Sequence, residues 1–166
     1  NPKFYRQYEQ KLGIAQRAGN KKRVRALHAT IANCRKDHLH KASRMLVKEN
    51  ALIVVGDLSA KKLVKTKMAK SVLDTGFSEL KTMLRYKCEN AGVLFEEVNE
   101  SFTTQMCSCC GEVTASSPKG RTDLRIRVWE CENCSSVLDR DLNSAKNILA
   151  LGHKRLAVGI TLLSGG

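Results

Sequence analysis

The sequence predicts a mixed α/β protein that begins with a helical hairpin and carries a small cysteine-rich module nearer its C-terminal end. Three observations support this prediction. Apolar residues recur at helical spacing over the first 50 residues, residues 51–98 follow a strand–helix–strand pattern, and two CxxC pairs lie further along. With 166 residues and 42% hydrophobic side chains, the chain is long enough to bury a core.

The first segment, residues 1–50, predicts two helices with a break at Gly19-Asn20. It carries 13 Lys and Arg against 3 Asp and Glu, so a net charge of +10 out of the chain's +13 lies here. A charge of this density favours contact with nucleic acid, although a solvated helix face would look the same. The residues predicted to contact nucleic acid are Lys21, Lys22, Arg23, Arg25, Arg35 and Lys36.

The next segment predicts two parallel strands joined by a helix. Residues 51–55 form an apolar, β-branched run typical of a strand buried on both faces, residues 72–91 have helical spacing, and residues 93–98 form a second strand. A right-handed strand–helix–strand unit makes the two strands parallel neighbours. Their carboxyl ends, near Gly56 and Glu100, then open on the same edge of the sheet, where sites form in such folds.

Two CxxC pairs predict a zinc ribbon over residues 103–137. Twenty residues separate the pairs, which suits a tetrahedral ion held by two thiolates from each. A closed set of four thiolates leaves no open position, so the zinc is expected to be structural. Cys109 competes with Cys110, but only Cys110 keeps the two-residue spacing from its partner. The predicted ligands are Cys107, Cys110, Cys131 and Cys134.

Other residues of this module suggest a surface for nucleic acid. Trp129, the single Trp, either packs the zinc module or stacks on a base, and packing is the favoured interpretation. Four basic residues give the ribbon a loop that can contact phosphate. They are Lys119, Arg121, Arg125 and Arg127.

The cysteine pairs belong to a longer pattern, C-x2-C-G…W-x-C-x2-C…D-R-D-x-N-x-A-x-N-I-L, which ends in the run from Asp139 to Leu149. This pattern resembles the C-terminal part of the transposon-encoded OrfB/TnpB proteins. Their relatives are the Fanzor proteins and the type V CRISPR effector nucleases. Residues 54–71 and 99–104 also look like this family. The resemblance covers nearly the whole chain and is specific over residues 99–149.

The resemblance implies an RNase H-like (RuvC) nuclease domain with an inserted zinc ribbon, which cuts a DNA target guided by an RNA made from the transposon. In this family an Asp, a Glu and an Asp bind two catalytic Mg2+ ions. The final Asp carries over to Asp141, with Asp139 as second choice, although an Asp at a helix start is commonly only a cap. The first Asp is expected upstream of Asn1. The chain is therefore predicted to be a C-terminal fragment, inactive alone.

The Glu of the family pattern is missing from its usual place. Many members carry Glu-Asp-Leu at the end of the first strand, where this chain has Gly56-Asp57-Leu58. Asp57 is expected to face the opposite side of the sheet and to point elsewhere. Glu100 lies just past the end of the neighbouring strand, which is about 4.8 Å away, so its carboxylate is predicted to bind the Mg2+ with Asp141. Some family members, Fanzors among them, look rearranged in this way, and the alternative is a solvated Glu.

Composition excludes a membrane protein and leaves two further functions open. No apolar run approaches the ~18 residues of a membrane helix, and the first residues are not a signal peptide, so the expected location is cytoplasmic, in the prokaryotic cytosol or nucleoid. The alternatives are a non-catalytic nucleic-acid-binding zinc-ribbon protein derived from such a nuclease, and a ribbon that binds RNA only. The predicted divisions are the hairpin (1–50), the RuvC-like strands (51–102), the ribbon (103–137), a helix ending at Gly152 (138–152) and a tail (153–166).

Overall fold

The structure is a computed structural model that describes residues 2–57, 76–120 and 122–163. The chain has a mixed α/β architecture and divides into two compact units, Asn1–Ile53 with Ser59–Phe95, and Val54–Leu58 with Glu96–Gly166. The elements are α1 (Phe4–Arg17), α2 (Lys21–Glu49), β1 (Leu52–Gly56), α3 (Phe77–Ala91), β2 (Leu94–Val98), a 3₁₀ turn (Thr122–Arg125), β3 (Val128–Glu130), β4 (Val137–Asp139) and α4 (Arg140–Leu163).

The helices α1 and α2 pack against each other in the first unit. Asn20 caps α2, because its side chain accepts a hydrogen bond from the backbone N–H of Arg23 at 2.9 Å. Gly19 precedes it at φ +63°, a conformation that glycine adopts without strain. The side chains that meet between the two helices are Tyr5, Tyr8, Leu12, Ala15, Val24 and Leu27.

Helix α3 packs on α2 around a buried polar contact. Lys87 Nζ donates to Ser43 Oγ at 2.6 Å and to the His40 carbonyl at 2.8 Å. Burial, followed by the charge of Arg44, lowers the pKa of Lys87. Met45 of α2 is exposed, because the face of α2 toward α3 follows the buried Ser43 instead. The part of the predicted helix before residue 76 lies outside the described residues.

Strands β1 and β2 pair as a two-stranded sheet. Leu94 N–H donates to the Ala51 carbonyl at 3.0 Å, and Asp57 N–H donates to the Val98 carbonyl at 2.9 Å. These bonds advance in the same direction along both strands, so the pairing is parallel, as predicted. β1 is half-buried and not buried on both faces, and β2 is its one partner strand within the described part of the chain.

In the second unit, β3 and β4 form an antiparallel hairpin that places one residue of each strand inward. Trp129 pairs with Leu138 in register, and both contact the buried Cys107 and Cys131. The Trp129 side chain is only 6% exposed. It therefore packs the cysteine module, and the base-stacking alternative for this residue is wrong.

Helix α4 continues to Leu163, so the predicted helix end at Gly152 is wrong. Glycine stands there because the helix passes close to β1. A Cβ at position 152 would lie 2.8 Å from Val54 Cγ1 and 3.1 Å from Val54 Cβ. The close approach outweighs the roughly 1 kcal/mol that a helical glycine costs. None of the helices in the described ranges is both long and apolar enough to span a membrane.

Candidate functional site

The two cysteine pairs lie on turns of the same design. Gly111 N–H donates to the Cys107 carbonyl at 2.8 Å, and Ser135 N–H donates to the Cys131 carbonyl at 2.8 Å. Gly111 has φ +80° and Ser135 has φ +54°, so each turn closes on a residue in the left-handed region. Each turn directs its two thiols toward the same point.

The four thiols form a compact cluster. The Sγ atoms of Cys107 and Cys134 are 3.7 Å apart, as are those of Cys110 and Cys131, and all four lie within 4.8 Å of one another. A tetrahedral zinc with Zn–S bonds of about 2.3 Å requires S–S separations of about 3.8 Å. A disulfide would need about 2.05 Å. The cluster therefore fits zinc and consists of the same four cysteines that the spacing predicts, with Cys109 outside it and exposed.

The surroundings of the cluster favour thiolates at part of it. A hydrogen bond from the Asn133 side chain, with help from the Glu112 backbone, lowers the pKa of Cys110 to about 6. Burial raises the pKa of Cys107 to about 11. A metal ion binds the deprotonated thiolates, so binding releases protons and weakens as the pH falls.

We expect one zinc ion per chain in protein purified without chelator, measured by elemental analysis. Chelation should unfold the cysteine module and shift the fluorescence of the buried Trp129 to longer wavelength, because a small module lacks the apolar area to stay folded without its metal. Cys131→Ser should lose the zinc, whereas Cys109→Ser, a matched control outside the cluster, should keep it. Metal-free protein with unchanged Trp129 fluorescence would contradict the prediction.

Glu100 occupies the space that a side chain at position 56 would need. A Cβ on Gly56 would overlap Glu100 Oε2 and would lie 3.0 Å from Glu100 Cβ and 3.1 Å from its Cδ. The Glu100 side chain therefore lies directly over the Gly56 backbone at the carboxyl end of β1. Gly56 and Glu100 are complementary, since a side chain at position 56 would displace that of Glu100.

Asp57 lies beside Glu100, and the expectation that it points elsewhere is wrong. Its Oδ1 atom lies 3.4 Å from the Glu100 backbone N–H, which donates to it. Because β1 ends at Gly56, the alternation of side chains along a strand does not fix the direction of Asp57. Burial, followed by the charge of Asp57, raises the pKa of Glu100. A cation at this edge would relieve both effects.

The two aspartates at the start of α4 have different roles. Asp139 Oδ1 accepts the backbone N–H groups of Asp141 at 3.0 Å and Leu142 at 2.9 Å, which is the geometry of a helix cap. The Asp141 side chain is 78% exposed and accepts a hydrogen bond from Arg127 Nη1 at 3.2 Å. The cap interpretation therefore applies to Asp139, and Asp141 keeps a carboxylate oriented toward solvent.

One hydrogen-bonded link joins the Glu100 turn to the helix of Asp141. The Thr103 hydroxyl donates to the Glu100 carbonyl at 2.8 Å, and Thr103 Oγ1 lies 2.9 Å from Ser144 Oγ. Ser144 follows Asp141 by three residues, so the two share a helix face. The carboxylates are not preassembled into a cluster like the cysteines: in the described segments, four thiols are the one group of three or more such donors within 4.8 Å.

Two buried asparagines of α4, which sequence reasoning missed, fix this link. Asn143 Nδ2 donates to the Thr103 and Met106 carbonyls at 3.3 and 2.8 Å, and Asn147 Nδ2 donates to the same carbonyls at 2.9 and 2.7 Å. Asn143 Oδ1 also accepts the Ser108 N–H at 2.8 Å, inside the first cysteine turn. The available signal was a pair of Asn residues four positions apart, in the motif that carries the family resemblance.

The basic residues predicted to contact nucleic acid fall into both units. Five of the α2 set are exposed, whereas Arg35 is half-buried, with its Cδ 3.1 Å from where a Cβ on Gly76 would lie. Of the ribbon set, Arg127 is paired with Asp141, and Arg121 lies outside the described residues. The exposed members are Lys21, Lys22, Arg23, Arg25, Lys36, Lys119, Arg125 and Arg127.

Comparison with known proteins supports this organisation. Residues 77–148 match the family model of the Cas12f1-like TNB domain. A candidate RNA-guided DNA endonuclease of Streptomyces pristinaespiralis is 37% identical over 96% of this chain, and InsQ of Escherichia coli K12, named in the same way, is 30% identical over 87% of it. TnpB-like protein L79 of Acanthamoeba polyphaga mimivirus is 30% identical over 79% of the chain.

The chain spans less than half the length of these relatives and shares its fold with part of one solved structure. It spans 42%, 39% and 25% of the lengths of the three proteins, respectively. A structure of the Cas12f1-sgRNA-target DNA complex matches 86% of this chain and 40% of its own with a TM-score of 0.64 and 18% identity, a likeness of fold. The chain thus contains a Cas12f1-like TNB domain and is similar over most of its own length to TnpB-like proteins.

Proposed function

We propose that this chain is a C-terminal part of a transposon-associated, RNA-guided, metal-dependent DNA endonuclease, with a RuvC-like site and a zinc ribbon. The observation that carries the proposal is the seating of Glu100 over Gly56. A half-buried carboxylate held beside a second carboxylate destabilises the folded chain, so a non-catalytic binding protein gains nothing from it. A site that binds a cation does gain from the two neighbouring carboxylates.

The residues of this edge fit Mg2+, whose preferred ligands are carboxylate oxygens and water. Glu100 and Asp141 would hold the ion, which supplies charge stabilisation for the attacking and leaving oxygens of a phosphodiester when bound. Asp139 keeps the first turn of α4 in place under Asp141, and Thr103 and Ser144 keep the Glu100 turn against that helix. The family pattern assigns the remaining Asp to another part of the whole protein.

The ribbon and the hairpin would serve binding in this proposal. Four thiolates saturate a zinc ion, so the ribbon's metal is structural and shapes the loop that bears Lys119 and Arg125. The exposed basic face of α2 supplies phosphate contacts for the DNA target or the guide RNA. We infer RNA and DNA as partners from the names of the similar proteins.

Substitutions of two neighbouring aspartates test the proposal. They are made in the complete protein, which is assayed with its guide RNA and Mg2+. Asp141→Asn should reduce DNA cleavage by more than the roughly 10–100-fold typical when a partner of a metal ligand is lost. Asp139→Asn is the matched control, because asparagine caps a helix as well as aspartate does. Cleavage that survives in the Asp141 variant and fails in the Asp139 variant would contradict the assignment. Tight binding without cleavage by the unmutated protein would favour the non-catalytic alternative.

Binding of the isolated chain to nucleic acid should be independent of sequence and steeply dependent on salt. Each phosphate contact contributes a slope of about −0.7 for single strands in a plot of log affinity against log salt. Replacing Lys21, Lys22, Arg23 and Arg25 by Gln should flatten that slope by about 2–3, and replacing Lys119 and Arg125 should flatten it less. A titration that barely changes between low and physiological salt would contradict the prediction.

A further inference from the structure

Phe102 is an exposed aromatic residue in a backbone conformation that aromatic residues avoid. Its φ is +64° and it is 68% exposed. The Thr103 N–H donates to the Glu100 carbonyl at 3.2 Å, so Phe102 is the third residue of a four-residue turn. With positive φ, as in a type II turn, that position is usually glycine or asparagine. Phenylalanine therefore brings strain to the turn without any gain from burial.

The surrounding hydrogen bonds hold the strained turn in place. The Phe102 carbonyl accepts the N–H groups of Gln105 at 2.9 Å and Met106 at 3.0 Å. Asn143 and Asn147 fix the carbonyl of the next residue, Thr103, from α4. The ring is thus presented outward by a rigid support, and no described residue of its unit covers it. Strain kept in this way concentrates at functional sites.

We infer that Phe102 is a stacking platform for an unpaired nucleobase of the DNA strand that reaches Glu100, an inference that rests on the proposed function. The ring lies two residues from Glu100, whose neighbour is the Asp57 carboxylate. This charge repels phosphate in the absence of a cation, whereas stacking of a base on the ring needs no contact with phosphate. A phenyl ring offers a flat face to any base and no hydrogen bond, which makes the contact tolerant of sequence.

Stacking on Phe102 also restricts the substrate. Bases in a duplex are stacked on their neighbours and present only their edges in the grooves. A base reaches the face of a ring only in a single strand or after it has been flipped out. The platform therefore selects for unpaired DNA at the carboxylate edge, a selectivity independent of the guide RNA.

Fluorescence of the 166-residue chain tests the contact directly. In Phe102→Trp the new indole is exposed, whereas the natural Trp129 is 6% exposed and shielded from bases. We expect a short oligothymidylate to quench the variant strongly, and an oligonucleotide of equal length with abasic sites to leave it bright. The unmutated chain, with Trp129 alone, is the matched control and should respond to neither.

Affinity provides the second measurement, made at raised salt where phosphate contacts are weak. Phe102→Ala should bind oligothymidylate about 5- to 150-fold more weakly, the range for loss of one stacked base, and should bind the abasic oligonucleotide unchanged. Tyr86→Ala removes an exposed aromatic residue of α3 and should change neither. Phe102→Gly guards against misfolding, since glycine accepts the positive φ, and it should lose binding without a lower melting temperature.

Equal affinity of the Phe102 variants and the unmutated chain for oligothymidylate would overturn the inference, as would equal quenching by the abasic oligonucleotide. A ring that serves a protein partner instead would give both results. Because neither measurement involves cleavage, stacking can be observed even if the chain's parent protein proves non-catalytic. Conversely, cleavage that depends on Asp141 but not on Phe102 stacking would uphold the proposed function alone.

Discussion

Glu100→Gln in the complete protein is expected to abolish DNA cleavage and to leave DNA binding intact. Glutamine keeps the shape that fits over Gly56 but removes the charge that a cation requires. Binding depends on basic residues elsewhere in the chain and should not change. The measurement is a cleavage assay alongside a binding titration, with Glu130→Gln, an exposed glutamate of β3, as control.

The same variant should be more stable than the unmutated protein when no metal is present. Burial and the charge of Asp57 raise the pKa of Glu100 above its ordinary value of 4.5. The folded state then binds more protons than the unfolded state between the two pKa values, so stability falls as the pH rises through that window. Glu100→Gln should raise the melting temperature at neutral pH and should not raise it below the unfolded pKa.

Gly56→Ala tests the same site by changing the residue over which Glu100 lies. The added methyl group would overlap Glu100 Oε2 and force the carboxylate away, although Glu100 itself remains. Cleavage should fall with the charge of the site unchanged. Full cleavage by Glu100→Gln would refute its role as a metal ligand, and full cleavage by Gly56→Ala would show that its seating over Gly56 is irrelevant.

Features set by local spacing could be predicted from the sequence. The four cysteines follow from the bite of a CxxC turn, and the parallel pairing of β1 and β2 follows from their connection through a helix. The complementarity of Gly56 and Glu100 follows from the same pairing, which brings the ends of neighbouring strands together. In each case, one rule about backbone geometry determines the outcome.

Features set by contacts between distant segments could not be predicted in this way. Gly152 has the sequence signature of a helix end, and only the approach of Val54 explains a glycine inside α4. A serine, Ser43, lies on the buried face of α2, where it accepts a hydrogen bond from Lys87 of another helix. Asp57 turns toward Glu100 because it lies one residue beyond its strand, where alternation no longer applies.

Asn147→Asp is expected to destabilise the second unit by roughly 3 kcal/mol, since each buried group that loses its hydrogen bond costs about 1–3 kcal/mol. Asn147 is 4% exposed and donates to the Thr103 and Met106 carbonyls. Aspartate has the same shape but no N–H to donate. It would place a buried carboxylate against two carbonyl oxygens, with Asn143 as the remaining donor to both.

The measurement is the free energy of unfolding from a urea titration, with Asn99→Asp as the matched control. Asn99 is exposed, and its Oδ1 accepts the Ser101 N–H at 2.8 Å, a bond that aspartate preserves, so its effect should stay within about 0.5 kcal/mol. Asn147→Asp should also reduce cleavage by the complete protein at temperatures where it remains folded, because the turn bearing Glu100 and Phe102 loses half of the amide donors that hold it to α4. Equal stability of the two Asp variants would show that Asn143 alone suffices, and that the paired asparagines are not what fixes the turn.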